Sequence, residues 1–252
     1  MTKSRTVRAI LIVLGILLIL ILALAASVVI PFMRYAPAKD GMVLPGGAVL
    51  VAAGGSNVYV IPDGAAHVLL IDCGMDPKMT AVAALLKAHG LGLDAVEAVL
   101  ITHAHPDHIG GCAALPKAKF YSQAREAAAI EGSEVVAGPL AMLSHPKSTG
   151  LHISRGLQDG EAGQIGSLSI VTFAVPGHTP GSGAYLINGV LYVGDAVAFG
   201  NGGATVSAPW IFNTDGTQAA ASIRALAARL SAMRVDMVAT GHTAPGPISA
   251  LK

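Results

Sequence analysis

The sequence predicts an α+β protein whose sheets are covered by helices, carried behind one N-terminal transmembrane helix. Three observations predict it. Ala9 to Met33 is a run of 25 residues without a charge, and it follows Lys3, Arg5 and Arg8. Beyond residue 46, short apolar runs of strand length recur, bounded by glycine, proline or asparagine. Between them stand segments whose apolar residues repeat at helical spacing. At 252 residues the chain holds one sizeable domain or two small ones. Strands in series with helices interleaved bury their faces by layering sheets under helices.

The N-terminal segment, residues 1–33, is long enough to span a bilayer core, which needs about 20 apolar residues in a helix. A signal peptide's apolar region is shorter, about 7–15 residues, although Ala23-Leu24-Ala25 offers a small-residue cleavage site. An uncleaved anchor is the preferred reading. Positive charges ahead of the helix place the N-terminus inside and the domain outside, on the periplasmic or extracellular face. Cleavage near residue 25 would release the domain on that same side. Residues 34–46 contain prolines and glycines and read as a linker. The domain is then 47–252.

Within the domain, "AVLVAA" and "NVYVIP" flank Gly54-Gly55-Ser56 and predict a hairpin. "HVLLID" is a third strand, ended by Cys73-Gly74. Met79, Val82, Leu85 and Leu86 repeat at helical spacing and Gly90 closes that helix. "AVEAVLIT" is a further strand. Residues 126–156 read as one or two short helices followed by an irregular loop. "SLSIVTFAVPGH" and "GAYLINGVLYVGD" read as strands, the second turning at Asn188-Gly189. Ile223, Leu226, Leu230 and Met233 form one helical face, read as core packing, and "VDMVATGH" is a last strand.

Net charge is +1 with histidines neutral, and no long basic run follows residue 8. A broad phosphate-contacting surface for nucleic acid is therefore not expected. Two cysteines, Cys73 and Cys112, do not make a disulfide framework. Both are read as small buried side chains.

The chemistry is concentrated in "THAHPDHIGG", residues 102–111. It supplies His103, His105, Asp107 and His108, whereas the whole chain has nine histidines. Imidazole and carboxylate are the usual zinc ligands at hydrolytic sites. His103 and His105 are two apart beyond a strand, so they point the same way and can grip one ion. Asp107 and His108 are neighbours that diverge and can serve a second. Three isolated candidates complete a set: His178 in "PGHTPGS", Asp195 in "YVGDA" and His242 in "TGHTAP". Each follows an apolar strand and a glycine. His145 and His152 have no partner motif and read as surface histidines.

These residues resemble the metallo-β-lactamase superfamily. "HAHPDH", His178, Asp195 and His242 fill every ligand position of its dinuclear form, and "LLIDCG" resembles the strand before its motif. The resemblance covers about residues 47–245 and implies a four-layer αβ/βα sandwich with metals at one edge. It implies that His103, His105 and His178 bind one metal and Asp107, His108 and His242 the other, with Asp195 bridging. Asp72 matches the position that orients a ligand histidine; Thr102 and Thr179 are further candidates with that role. The implied reaction is hydrolysis by a hydroxide held between two cations about 3.5–4 Å apart, with Asp107 orienting it and carrying a proton. Zinc is the expected metal, and iron or manganese suit such a site nearly as well.

Asp195 stands where β-lactamases of this fold generally have Cys or Ser, which points to the glyoxalase II-like, lactonase and phosphodiesterase branches. Only ten residues follow His242, so a glutathione-binding C-terminal domain is not expected. His105 stands where the flavodiiron branch has Glu. The leading expectation is a hydrolase of small esters, lactones, thioesters or amides. The alternatives are a β-lactamase-like antibiotic hydrolase and a non-catalytic metal-binding or sensing protein. The loop 138–156 and the glycine-rich stretch 198–216 are expected to wall the pocket, with Trp210 and Phe212 packed beneath it. Oligomeric state is left open.

Overall fold

Strands that are apolar at almost every position need cover on both faces, and two sheets here have it. The structure is a computed structural model and describes residues 2–115, 117–143 and 145–251. The first sheet holds β1 (Val49–Ala52), β2 (Asn57–Asp63), β3 (His67–Ile71), β4 (Val96–Leu100), β5 (Lys119–Gln123) and β6 (Ile153–Leu157), in that spatial order. β1 to β3 are antiparallel and β3 to β6 parallel. The second holds β7 (Ala162–Ile165), β8 (Leu168–Ala174), β9 (Gly183–Ile187) and β10 (Val190–Tyr192). A ribbon of β11 (Ala198–Phe199) and β12 (Thr205–Val206) follows, and β13 (Met237–Ala239) then joins the second sheet parallel to β10.

The period-2 alternation of strands sorts the core into three layers. Tyr59, Ile61, Leu69 and Ile71 face Ile170, Tyr185, Ile187 and Tyr192 between the sheets. Val58, Val60, Val68 and Leu70 point the other way, onto helices α2 (Thr80–Ala88) and α4 (Ala127–Glu131) through Val82, Leu86 and Ile130. On the far side, Phe173, Leu191 and Val193 pack on Leu226 of α5 (Gly216–Arg229). This is the expected αβ/βα sandwich. A short helix α3 (Pro106–Ile109) lies between α2 and α4 in the chain and carries part of the motif.

The rings between the sheets also reach outward. Tyr59 and Tyr192 meet edge to face, 5.1 Å between centroids. The Tyr59 hydroxyl donates to the Thr240 carbonyl at 2.7 Å, and the Tyr185 hydroxyl donates to the Ile101 carbonyl at 2.6 Å. Both carbonyls lie in the loops that carry candidate ligands. The Asn188-Gly189 turn joins β9 to β10 as expected, with φ of 49° and 79°, both in the left-handed region this turn demands.

Five expectations need correction. Cys73 and Cys112 are buried but bonded to each other, 39 positions apart. Residues 34–46 are not a loose tether: Leu44 is buried, and Ala38 and Met42 pack against the inter-sheet core. The stretch 126–156 ends in a strand, β6, because β5 offers it a parallel edge. β5 and β7 were not anticipated. Met233 leaves the α5 stripe, because the α-helix ends at Arg229 and one 3-10 turn follows, exposing its side chain.

The first helix, α1 (Thr2–Met33), is long and apolar enough to cross a membrane, and its apolar side chains are exposed. Its C-terminal end is held to the domain. The Ala36 N–H donates to Phe199 O at 2.8 Å and the Asn201 N–H to Arg34 O at 3.0 Å.

Candidate metal centre

Strand ends deliver the site. β3 and β4 run parallel, so Asp72 and the motif at 102–108 leave the first sheet at one edge. β10 and β13 are also parallel, so Asp195 and His242 leave the second sheet together, and His178 follows β8. Carboxyl ends of parallel strands are where α/β sheets present side chains to ligands.

All seven predicted ligand residues converge. His103 Nε2, His105 Nδ1 and His178 Nε2 stand 3.0, 3.0 and 3.2 Å from one another. A tetrahedral ion with bonds of 2.0–2.1 Å spaces its donors about 3.3 Å apart, so the triangle matches one within tenths of an ångström. Burial lowers the pKa of all three rings, that of His103 far below the ordinary value and that of His105 to about 3. They are neutral, with lone pairs to give.

The second cluster is more acidic. His242 Nε2 lies 3.2 Å from Asp107 Oδ2, and His108 Nε2 lies 3.6 Å from the same oxygen. Asp195 stands between the clusters. Its Oδ2 is 2.9 Å from His242 Nε2 and 3.6 Å from His178 Nε2, and its Oδ1 is 3.4 Å from His108 Nε2. Burial opposes a charge on His108 and His242. The carboxylates of Asp195 and its neighbours outweigh it, raising His108 well above the ordinary value and His242 to about 10. Burial likewise opposes the charge on Asp195, but the two imidazoles hold it well below the carboxylate range. The negative potential here is the kind a cation neutralises.

One observation tests the fit of metals directly. His108 Nε2 and Asp195 Oδ1 are buried and have no hydrogen-bond partner. Buried polar atoms are normally paired, and these two lie 3.4 Å apart among the other donors. Donor atoms within each of three overlapping groups lie within 4.8 Å of one another. The residues present fit a pair of divalent cations.

Four of the five rings are also held from behind. Asp72 accepts from His108 Nδ1 at 2.8 Å, and from the Thr102 N–H and hydroxyl at 2.7 and 2.8 Å. Thr102 Oγ1 lies 3.0 Å from His103 Nδ1. Asn213 Oδ1 accepts from His178 Nδ1 at 2.9 Å, and the Gly55 carbonyl accepts from His242 Nδ1 at 2.7 Å. The Ser56 hydroxyl donates to the Asp107 carbonyl. Thr179 pairs with Ser182 and Glu126 and reaches no ligand ring. Asp72→Asn keeps the shape but loses the charge behind His108. It should weaken metal affinity about 10–100-fold, read by competition with a chromophoric chelator.

Glu126 escapes sequence reading. It is buried, and its carboxylate accepts from the Ala104 N–H at 2.9 Å and the Gly181 N–H at 2.8 Å. It ties the loop of His103 and His105 to that of His178. Burial raises its pKa against the hydrogen bonds that hold it. Its local sequence, "REAAAIEG", signals only a helix, and Asn213 is equally unmarked among loop residues.

The glycines before two ligands are demanded by close approach. A Cβ at Gly194 would sit 2.4 Å from Thr102 Oγ1, and one at Gly241 would sit 2.0 Å from Asp195 Oδ1. Above the clusters opens a cavity of about 820 Å³ that reaches His105, Asp107, His178, Asp195 and His242. Parts of 138–151 and 208–212 wall it, as expected, and residues from 132 to 137, ahead of the expected loop, line it too; Ser144 lies outside the described residues. Phe212 lines the wall rather than packing beneath it, and Trp210 packs on α1. His145 lines the cavity, exposed, and His152 is exposed and pairs with Glu131 at 3.1 Å.

Residues 51–242 match the sequence model described as the metallo-beta-lactamase superfamily. The hydroxyacylglutathione hydrolase of Vibrio cholerae is 33% identical over 132 residues, which are 50% of this chain and 42% of that protein. The protein of the same name from Aeromonas salmonicida is 35% identical over 140 residues, 54% of this chain and 45% of that one. The chain thus spans less than half the length of these curated relatives. Among solved structures, the BLEG-1 B3 metallo-beta-lactamase aligns with a TM-score of 0.63 and 25% identity over 84% of this chain and 94% of that one. The metallo-beta-lactamase MIM-1 from Novosphingobium pentaromativorans aligns with a TM-score of 0.61 and 23% identity over 83% and 78%, a likeness of fold.

Proposed function

We infer that this chain, which belongs to the metallo-β-lactamase superfamily, is a metal-dependent hydrolase of a small ester, lactone, thioester or amide. One observation carries the reading: two donor clusters share Asp195 at the floor of a single cavity. His103, His105 and His178 would hold one cation and Asp107, His108 and His242 a second, with the Asp195 carboxylate placed to serve both. Zinc suits this donor set, and iron or manganese are the alternatives. Divalent cations bound there supply Lewis acidity toward the scissile group and lower the pKa of water.

The remaining roles belong to the chain. Neutral rings of the first cluster donate lone pairs. Asp107 edges into the cavity with 27% of its side chain exposed. Burial raises its pKa, but His242 and His108 bring it below the usual value, so it is a carboxylate. It accepts a hydrogen bond from the attacking water and carries that proton to the leaving group. Asp72, Asn213 and the Gly55 carbonyl fix the rings so that little rearrangement accompanies the reaction.

We read α1 as an uncleaved anchor with the domain on the outer face. Lys3, Arg5 and Arg8 precede the apolar run, and the Cys73–Cys112 bond suits an oxidising compartment. Protease added to spheroplasts, whose inner membrane is intact, should then digest the domain.

The purified full chain should hold about two metal ions. Chelation should abolish turnover on a panel of lactone, thioester, phosphodiester and β-lactam substrates, and added zinc should restore it. A chain that purifies without metal and stays inert after zinc addition would sink the assignment.

A further inference from the structure

We propose that the substrate is an amphiphile, a long acyl chain joined to its headgroup through the scissile bond, taken up from the membrane surface in which α1 sits. The proposal rests on the hydrolase reading above and names the substrate class for that same site.

The anchor and the site share a wall. Phe32, at the end of α1, and Tyr35 just beyond it line the cavity that reaches the donor clusters. They are not on a flexible tether, because Tyr35 pairs with Gly200 and the backbone on either side is hydrogen-bonded to the domain. Phe32 meets Tyr35 at 5.5 Å and Phe212 at 6.1 Å between ring centroids. The cavity lip therefore lies where the helix leaves the bilayer.

A second contact fixes the depth. The Trp210 indole N–H donates to the Ser27 hydroxyl at 3.0 Å. Ser27 precedes Met33, the last helical residue, by six positions, about 9 Å along the axis at 1.5 Å per residue. The segment carrying Trp210, Ile211 and Phe212 thus lies beside the membrane-facing part of α1. Tryptophan favours this boundary, with an apolar body and a polar N–H. Trp210 is 47% exposed and Leu143 78% exposed, so apolar surface is offered around the same loops.

The cavity chemistry agrees. Away from the donor clusters it is walled by Phe32, Ile109, Val136, Leu140, Ile211 and Phe212. Apart from the Tyr35 hydroxyl, its other charged or polar lining side chains, Glu134, Lys147, Thr149 and His145, come from the segment between α4 and β6. A volume of about 820 Å³ is near the upper end for small-molecule sites, roughly 300–1,000 Å³. A short polar ester would leave most of that apolar wall wet, whereas an acyl chain covers it. The reaction balances with water alone. Its oxygen bonds to the acyl carbon, the bond from that carbon to the headgroup heteroatom breaks, and the proton goes to the leaving group. The products are an alcohol, thiol or amine and a carboxylic acid, which releases the remaining proton of the water to solvent as it ionises.

The test uses the full chain, zinc-loaded, in phosphatidylcholine vesicles, with 4-nitrophenyl esters from acetyl to dodecanoyl. We expect kcat/KM to rise about threefold per added methylene until the cavity is full. Phe212→Ser and Ile211→Ser should shrink the dodecanoyl-to-acetyl ratio about tenfold. A readout independent of turnover is the fluorescence of Trp210, the one tryptophan of the chain. It should be quenched by lipids brominated near the ester end of their chains, with or without metal. Chelator-sensitive acetyl ester hydrolysis with no gain along the series overturns the amphiphile proposal and leaves the hydrolase intact. So does a Trp210 that shallow bromines do not quench. No chelator-sensitive turnover on any ester, thioester, lactone or amide, β-lactams included, overturns the hydrolase reading itself.

Discussion

Asp195→Ala is expected to reduce metal content from about two ions to one or fewer, and to cut turnover about a thousandfold or more. The reason is position. Asp195 approaches His242, His178 and His108 at 2.9, 3.6 and 3.4 Å, and so belongs to both clusters. Alanine removes the shared oxygen pair and the negative charge that holds the second cluster together. Asp195→Asn separates the two losses, because it keeps the shape and one oxygen while removing the charge. It should retain more metal than alanine and still turn over poorly. Elemental analysis and a chelator-controlled assay read both, and a melting curve confirms that the variant is folded. Two tightly held ions and full activity in Asp195→Ala would refute the bridging role.

The Cys73→Ala/Cys112→Ala double variant should lose about 4 kcal/mol of stability by the chain-entropy relation for a loop of this length, given the separation of 39 residues. For a domain of this size that is a fall of about 10 °C in melting temperature. Reductant should lower the melting temperature of the parent chain by a similar amount and leave the double variant unchanged. The bond joins the turn of Asp72, held at φ 59°, to the segment following α3. The Cys73 N–H donates to the His108 carbonyl at 2.8 Å on the same seam. Metal affinity of the double variant should therefore fall as well, because Asp72 and His108 are no longer clamped at their spacing. Unchanged melting in reductant would show that the bond contributes nothing to the folded state.

The candidate donor set was legible because its signals are local. Four of the seven residues sit within one loop, and the other three each follow an apolar strand and a glycine that contact distances require. Strands buried on both faces, such as β2 and β3, announce themselves as unbroken apolar runs. β7 does not, because only Ile165 of its four residues is buried. β6 sets Ser154, Arg155 and Gly156 between Ile153 and Leu157, with no alternation to mark it, and only its neighbour β5 makes it a strand. Glu126 and Asn213 were illegible for another reason. Their partners are backbone amides and a ring brought from 22 to 55 residues away. The disulfide belongs with them. Nothing near Cys73 in sequence points to Cys112 until α3 folds back over the end of β3.

The tyrosine hydroxyls between the sheets have a consequence for how the centre is assembled. Tyr59 and Tyr185 are among the most enclosed side chains, and each holds a ligand-bearing loop by its carbonyl. Loosening either loop means disturbing the apolar layer between the two sheets. The conformational entropy of ordering the ligands is thus lost during folding, not when ions arrive. The centre behaves as a rigid mould rather than a closing hand. Such a mould would select a divalent cation by radius and coordination number.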